Sequence, residues 1–231
     1  MGAWWTERWV GALERVIDPP RLSQGRWHAR NGRVVRLDVR AGEIAAGLEG
    51  GQALPRAVRL RLPPLGAPAW ERAVAALAAE ARYEALLLAG DFPEAAAAAL
   101  DAAGAGLFPR PAPVTPPRAA ARGGWGRSAW GTSKPAAGPL VAGEMTLACD
   151  CSDARTAPCK HIAAAVYAFG SRLEDDPFLL FAVRGRSRAA LLQALRARRT
   201  AAALDGTLEA IAGLAADLAA AGSDAPGGRR P

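Results

Sequence analysis

The sequence predicts an α+β fold: an N-terminal helix and a four-stranded antiparallel meander covered by helices, then a β-β-α unit with C-terminal helices. Three observations carry this. Apolar residues recur at helical spacing over residues 4–17. The period changes to two over 26–62, where tight-turn dipeptides separate short alternating runs. Helical spacing returns after Pro63-Pro64 and again beyond residue 160.

Trp5, Trp9, Ala12 and Val16 share one face of the first helix, and Asp18-Pro19-Pro20 stops it. Trp4 falls off that stripe and is expected to be exposed. In the meander, Trp27 and Ala29 alternate with Arg26, His28 and Arg30, and Asn31-Gly32 forms a hairpin turn. Val35, Leu37 and Val39 then alternate with Arg36, Asp38 and Arg40, and Ala41-Gly42 turns the chain. Ile44, Ala46 and Leu48 mark the third strand, and Val58, Leu60 and Leu62 the fourth. The wet face carries many arginines.

A helix over 68–89 places Trp70, Val74, Leu77, Ala81 and Leu88 on one side. A further helix over 93–103 has Asp91 as its cap, Pro93 near its first turn and Gly104 past its end. These helices are expected to cover the apolar face of the meander. Residues 1–108 then form an N-terminal α+β domain. Residues 109–140 are a Pro/Gly/Arg-rich linker without periodicity, holding Trp125 and Trp130, for which docking within the chain is favoured over a partner. Residues 141–170 form a compact unit, and 171–221 a helical extension. In the extension Ser187 caps a helix over 188–199, and Leu204, Leu208, Ile211, Leu214 and Leu218 mark a last one. Residues 222–231 are expected to be a mobile tail.

The chain has 231 residues, 51% of them apolar, which suffices for one large domain or two small ones. The formal charge is +7, nearly all of it arginine, since Lys134 and Lys160 are the only lysines. A coding bias toward Ala, Arg, Gly and Pro accounts for this ahead of a selected basic surface. The start of the chain lacks a basic, then apolar, leader pattern, and no stretch approaches the roughly 20 apolar residues of a membrane span. The expectation is a soluble, cytoplasmic protein with reduced thiols.

All three cysteines fall between residues 149 and 159, too few and too close for a disulfide framework. The segment reads Cys149-Asp150-Cys151, seven residues, then Cys159-Lys160-His161. Three thiolates and an imidazole complete a tetrahedral shell for one structural Zn2+. Residues 144–148 supply a strand into the bend that brings Cys149 and Cys151 to one ion. Ile162, Val166 and Phe169 form a helical stripe, which sets Cys159 and His161 in or just before a first helical turn. The unit is then a β-β-α zinc finger. The competing readings are a buried thiol cluster beside a core histidine, and a redox switch using the same thiols.

The Cys-x-Cys, seven-residue, Cys-x-His pattern resembles the SWIM zinc finger. Trp4-Trp5, the run Gly25 to Gly32, the segment Leu86 to Gly90, Leu107-Phe108-Pro109, Asp176 to Phe181 and Arg184-Gly185-Arg186 are similar to bacterial SWIM zinc finger family proteins over most of residues 4–199. The resemblance implies zinc binding with DNA binding or protein interaction. Related fingers occur in Swi/Snf-type helicases and transposase-like proteins. Asp150 and Ser152-Asp153 depart from the residues common in relatives, and the linker is longer and richer in proline; neither touches the ligands.

An enzyme is the weakest class. Four protein ligands leave no open position on the metal, no His-Glu-x-x-His or phosphate-binding loop occurs, and His28 is expected to be solvated on a polar strand face. DNA is a candidate partner because Lys160 sits between two ligands and Arg184, Arg186, Arg188, Arg196, Arg198 and Arg199 follow. The alternative is an adaptor for a Swi/Snf-type helicase, docking through the tryptophans of the linker, the stripe over 204–218 or the acidic Glu174-Asp175-Asp176.

Overall fold

The computed structural model describes residues 2–49, 55–110, 112–115, 139–155 and 157–223. Trp125, Trp130 and most of the expected tail lie outside the described residues. Two helices open the chain, α1 (Trp4–Glu14) and α2 (Pro19–Arg30). Strands β1 (Val34–Arg40), β2 (Glu43–Leu48) and β3 (Arg56–Arg61) follow, then helices α3 (Ala67–Ala78), α4 (Ala81–Leu88) and α5 (Glu94–Ala102). Strands β4 (Val114–Thr115), β5 (Leu140–Ala142) and β6 (Met145–Cys149) lead through a 3-10 turn to α6 (Lys160–Asp175), α7 (Phe178–Val183) and α8 (Arg188–Ser223).

The α+β class holds, but the meander has three strands where four were expected. The segment around Trp27 and His28 is the end of α2. Asp18-Pro19-Pro20 stops one helix and starts the next. The Asp18 carboxylate accepts from Arg21 N at 3.0 Å as an N-cap, and the prolines occupy the first helical positions, where a missing N–H costs nothing. Asn31 is the C-cap of α2, and the two-residue hairpin turn is Ala41-Gly42, with Gly42 at φ 78°.

The sheet continues from the meander into the cysteine-bearing unit. Its order is β1-β2-β3-β6-β5-β4, with all neighbours antiparallel. Val58 of β3 pairs with Cys149 of β6, and Leu60 with Leu147. One face buries Ile44, Ala46, Leu48, Val58, Leu60, Leu140, Met145 and Leu147. Val35 was expected to point inward. A register shift between Val34 and Arg36 turns it out to solvent, and Val34 packs inward in its place.

The helix that covers this face is α6, not the helices of 67–102. Ile162 to Val166, Phe169 and Leu173 of α6 are all buried, with the sheet on one side and α1 and α2 on the other. Indole N–H groups lock α1 onto α6: Trp5 donates to Leu173 O at 2.7 Å and Trp9 to Val166 O at 3.3 Å. Trp4, expected exposed, is half-buried; it donates to Phe92 O at 2.6 Å, and its ring centroid lies 5.5 Å from that of Phe92. The run over 68–89 breaks at residues 79–80 into α3 and α4, and α3 packs on α4, α5 and α8. Where two C-terminal helices were expected, α8 is continuous. Ser187 Oγ accepts from Ala190 N at 3.2 Å and caps it.

Candidate metal centre

Strand β6 ends at Cys149, whose side chain lies on the same inward face as Leu147. Asp150 N still donates to Ala57 O at 3.2 Å, so the sheet grips the chain up to the bend, and Cys151 follows directly. Cys159 is the N-cap residue of α6 in extended conformation, and His161 is the second residue of the helix. Pro158 fixes the approach, and its carbonyl accepts from Arg21 Nη1 at 3.2 Å, tying the knuckle to the start of α2. The donors therefore come from the end of one strand and the start of the central helix.

The donor atoms of Cys149, Cys151, Cys159 and His161 all lie within 4.8 Å of one another. His161 Nδ1 is 3.8 Å from the Sγ atoms of both Cys149 and Cys159. A tetrahedron with zinc–ligand bonds of about 2.0–2.3 Å has edges of about 3.5–3.8 Å, so this group is the size of a metal shell. Cys151 and Cys159 are buried, and Cys149 and His161 half-buried. The donor set is soft, matches the group in number and size, and can hold one metal ion.

The electrostatics point the same way. Three thiols this close cannot all ionise unaided. Hydrogen bonds from Cys149 and Cys159 hold Cys151 far below the usual thiol range, as the one favoured thiolate. The hydrogen bond with Cys151, that with Cys159 and then burial push Cys149 far up. A divalent cation removes this conflict by carrying all three sulfurs as thiolates.

His28 is not on a solvated strand face as expected but on α2, beside the cluster. It lies on α2 with its ring centroid 6.0 Å from that of His161, and its Nδ1 is buried without a hydrogen-bond partner. Burial first, then the charges of His161, Lys160 and Arg33, hold its imidazole below its ordinary value. The signal that could have found it is the Asp-Pro-Pro helix start, which carries the helical period through residue 28.

The residues of the expected basic group differ in placement, and Arg184 is buried. Arg184 is 2% exposed, and its guanidinium donates to the carbonyls of Leu107, Pro63 and Phe108 and to the carboxylate of Glu144 at 2.9–3.3 Å. Glu144 precedes β6 and Cys149 ends it, so Arg184 sits at the far end of that strand from the thiols. Arg186 lies over the Trp70 ring and Arg188 over Phe178. Arg196 and Arg199 face the buried Glu84 at 3.9 and 2.6 Å, which pins α8 to α4. Arg198 is exposed, and Lys160 is half-buried at the knuckle. Next to His28 are Trp27, 53% exposed with its ring centroid 5.2 Å from that of His28, and Arg33, whose guanidinium lies 6.0 Å from the Trp27 ring centroid.

No protein-family model matches the chain. The uncharacterized protein Rv2102 of Mycobacterium tuberculosis is 34% identical over 196 residues, which cover 85% of this chain and 60% of that protein. The chain thus spans about 60% of the length of the relative it matches. No solved structure matches. Among the described residues, no helix is long and apolar enough to cross a membrane.

Proposed function

We propose that the chain is a binding module built on one structural Zn2+, of SWIM-finger type, whose knuckle face contacts DNA or a nucleic-acid-associated complex. The observation that carries this is the fourfold convergence of Cys149, Cys151, Cys159 and His161 on a single point. Four protein donors close a tetrahedral shell and leave no vacancy for substrate or water, which favours a structural role over an enzymatic one. Bound there, the ion would neutralise the thiolates and fasten the end of β6 to the start of α6.

The DNA reading rests on what surrounds the knuckle. Lys160 supplies a cation between two ligands, and Arg33 and Trp27 both neighbour His28, whose ring centroid is 6.0 Å from that of His161. Arg33 pairs with Glu49 at 2.9 Å on the surface, a contact weak enough to be exchanged for a phosphate. An exposed indole next to cations is the usual platform for stacking an unpaired base. Arg184 is withdrawn from this reading because its donors are already committed.

Titration of the protein with DNA at increasing salt tests the reading. Binding should weaken steeply with salt, and Lys160→Glu and Arg33→Glu should each reduce the log–log slope by about one. If no binding is measured at about 50 mM salt, the alternative stands: an adaptor for a Swi/Snf-type helicase that touches no nucleic acid itself.

A further inference from the structure

Beyond Arg199, α8 leaves the body of the protein. Every described side chain from residue 200 to 218 is exposed, and Leu204, Leu208, Ile211, Leu214 and Leu218 are 57–74% exposed. The buried anchors of the same helix are Leu191 and Leu195. Nine residues separate Leu195 from Leu204, two and a half turns, so the second stripe lies about half a turn round from the first. The molecule therefore holds α8 by one face and presents the opposite face to solvent. Gly206 and Gly213, whose added Cβ atoms would meet nothing, weaken this segment as an isolated helix. Side-chain packing from outside the chain's own body is what such a segment requires.

The stripe has a symmetry that selects its occupant. Its intervals are four, three, three and four residues, the same read in either direction about Ile211. We propose that this face pairs with the same face of a second copy of the chain, antiparallel, with a two-fold axis at Ile211. Leu204 then meets Leu218 of the second copy, Leu208 meets Leu214, and Ile211 meets itself. The small residues Thr207 and Ala215 also fall opposite each other, inside the same seam. This is the self-complementarity that an isologous interface needs. Asp205, Glu209 and Asp217 lie outside the arc of about 120° that holds the stripe, so no charge is buried. A parallel pair would set Asp205 and Glu209 beside their own copies and align the two helix dipoles unfavourably. Because the body grips α8 only before residue 200, an antiparallel pair sets the two bodies at opposite ends.

The area suits a real but modest dimer. Five side chains per copy, each with roughly 100 Å² open to water, would remove on the order of 1,000 Å² in total, at the lower bound for a specific interface. Area alone does not set affinity, so about 1 μM serves as the centre of the concentration range to search.

Sedimentation equilibrium of the full chain, at concentrations across about three decades around that value, tests this. A reversible monomer–dimer equilibrium is expected. Ile211→Asp, which places two carboxylates on the axis, should weaken dimerisation at least about 100-fold. Its bound zinc and near-ultraviolet spectrum should match the parent, because Ile211 is 57% exposed and lies outside the core formed by the described residues. Mixing Leu204→Cys and Leu218→Cys chains under mild oxidation should give the mixed disulfide in preference to either homodimer. A monomer at every concentration, a higher oligomer, an undisturbed dimer in Ile211→Asp, or preferred 204–204 crosslinks would each overturn the proposal. None of these outcomes depends on whether the knuckle face binds DNA.

Discussion

Gly25 is the point where α2 meets the central helix. A Cβ built there overlaps the methyl of Ala163 and comes within 2.8 Å of Ala164 N, so the two backbones touch with no space for a side chain. Because the obstacle is backbone, relaxation requires the helices to separate. Gly25→Val should destabilise the fold by about 2–3 kcal/mol, read as a lowered midpoint in urea at unchanged m. A midpoint equal to that of the parent would mean that α2 does not lie against α6. The same contact carries His28 to within 6.0 Å of His161, so the variant should also loosen the knuckle. At this scale the four metal-binding candidates were legible because their chemistry is local and their spacing short. The need for Gly25 was not legible, because it arises from a helix far along the chain.

Among the elements, legibility followed the length of the periodic signal. The strands holding Ile44, Ala46, Leu48, Val58 and Leu60 matched expectation because burial on one face writes a strict alternation. The end of α2 did not, because five residues of alternation around Trp27 fit a helix as well, and Asp18 and Pro19 serve equally as a stop for α1 and a cap for α2. Two helices were expected where α8 is one, since its apolar pattern changes face between Leu195 and Leu204 without a breaker. Arg184 shows how composition misleads: one arginine of a basic run is a buried bracket joining the carbonyls after β3 and α5 to Glu144. Arg184→Met should cost about 3–5 kcal/mol, because it strands those carbonyls and a carboxylate that is itself half-buried. Calorimetry would register this as a drop in thermal midpoint, while the proposed DNA binding should be unchanged in the folded variant. A stable variant with reduced DNA binding would return Arg184 to the interface.

At the scale of the molecule, the knuckle is not an appendage. Strand β6 extends the N-terminal sheet through β3, and α6 fills the space between that sheet and α1 and α2. The metal would sit where the strand hands over to the helix, so its loss should be felt through the whole core. The measurement that bears on this most directly is zinc per chain in purified protein with its three thiols reduced, set beside the thermal midpoint. One equivalent is expected in the parent. Cys151→Ala and His161→Ala should each lose it and unfold at least about 10 °C lower, the shift that several kcal/mol produces in a chain of this size. Less than half an equivalent in the parent, or full metal and an unchanged midpoint in Cys151→Ala, would contradict the account.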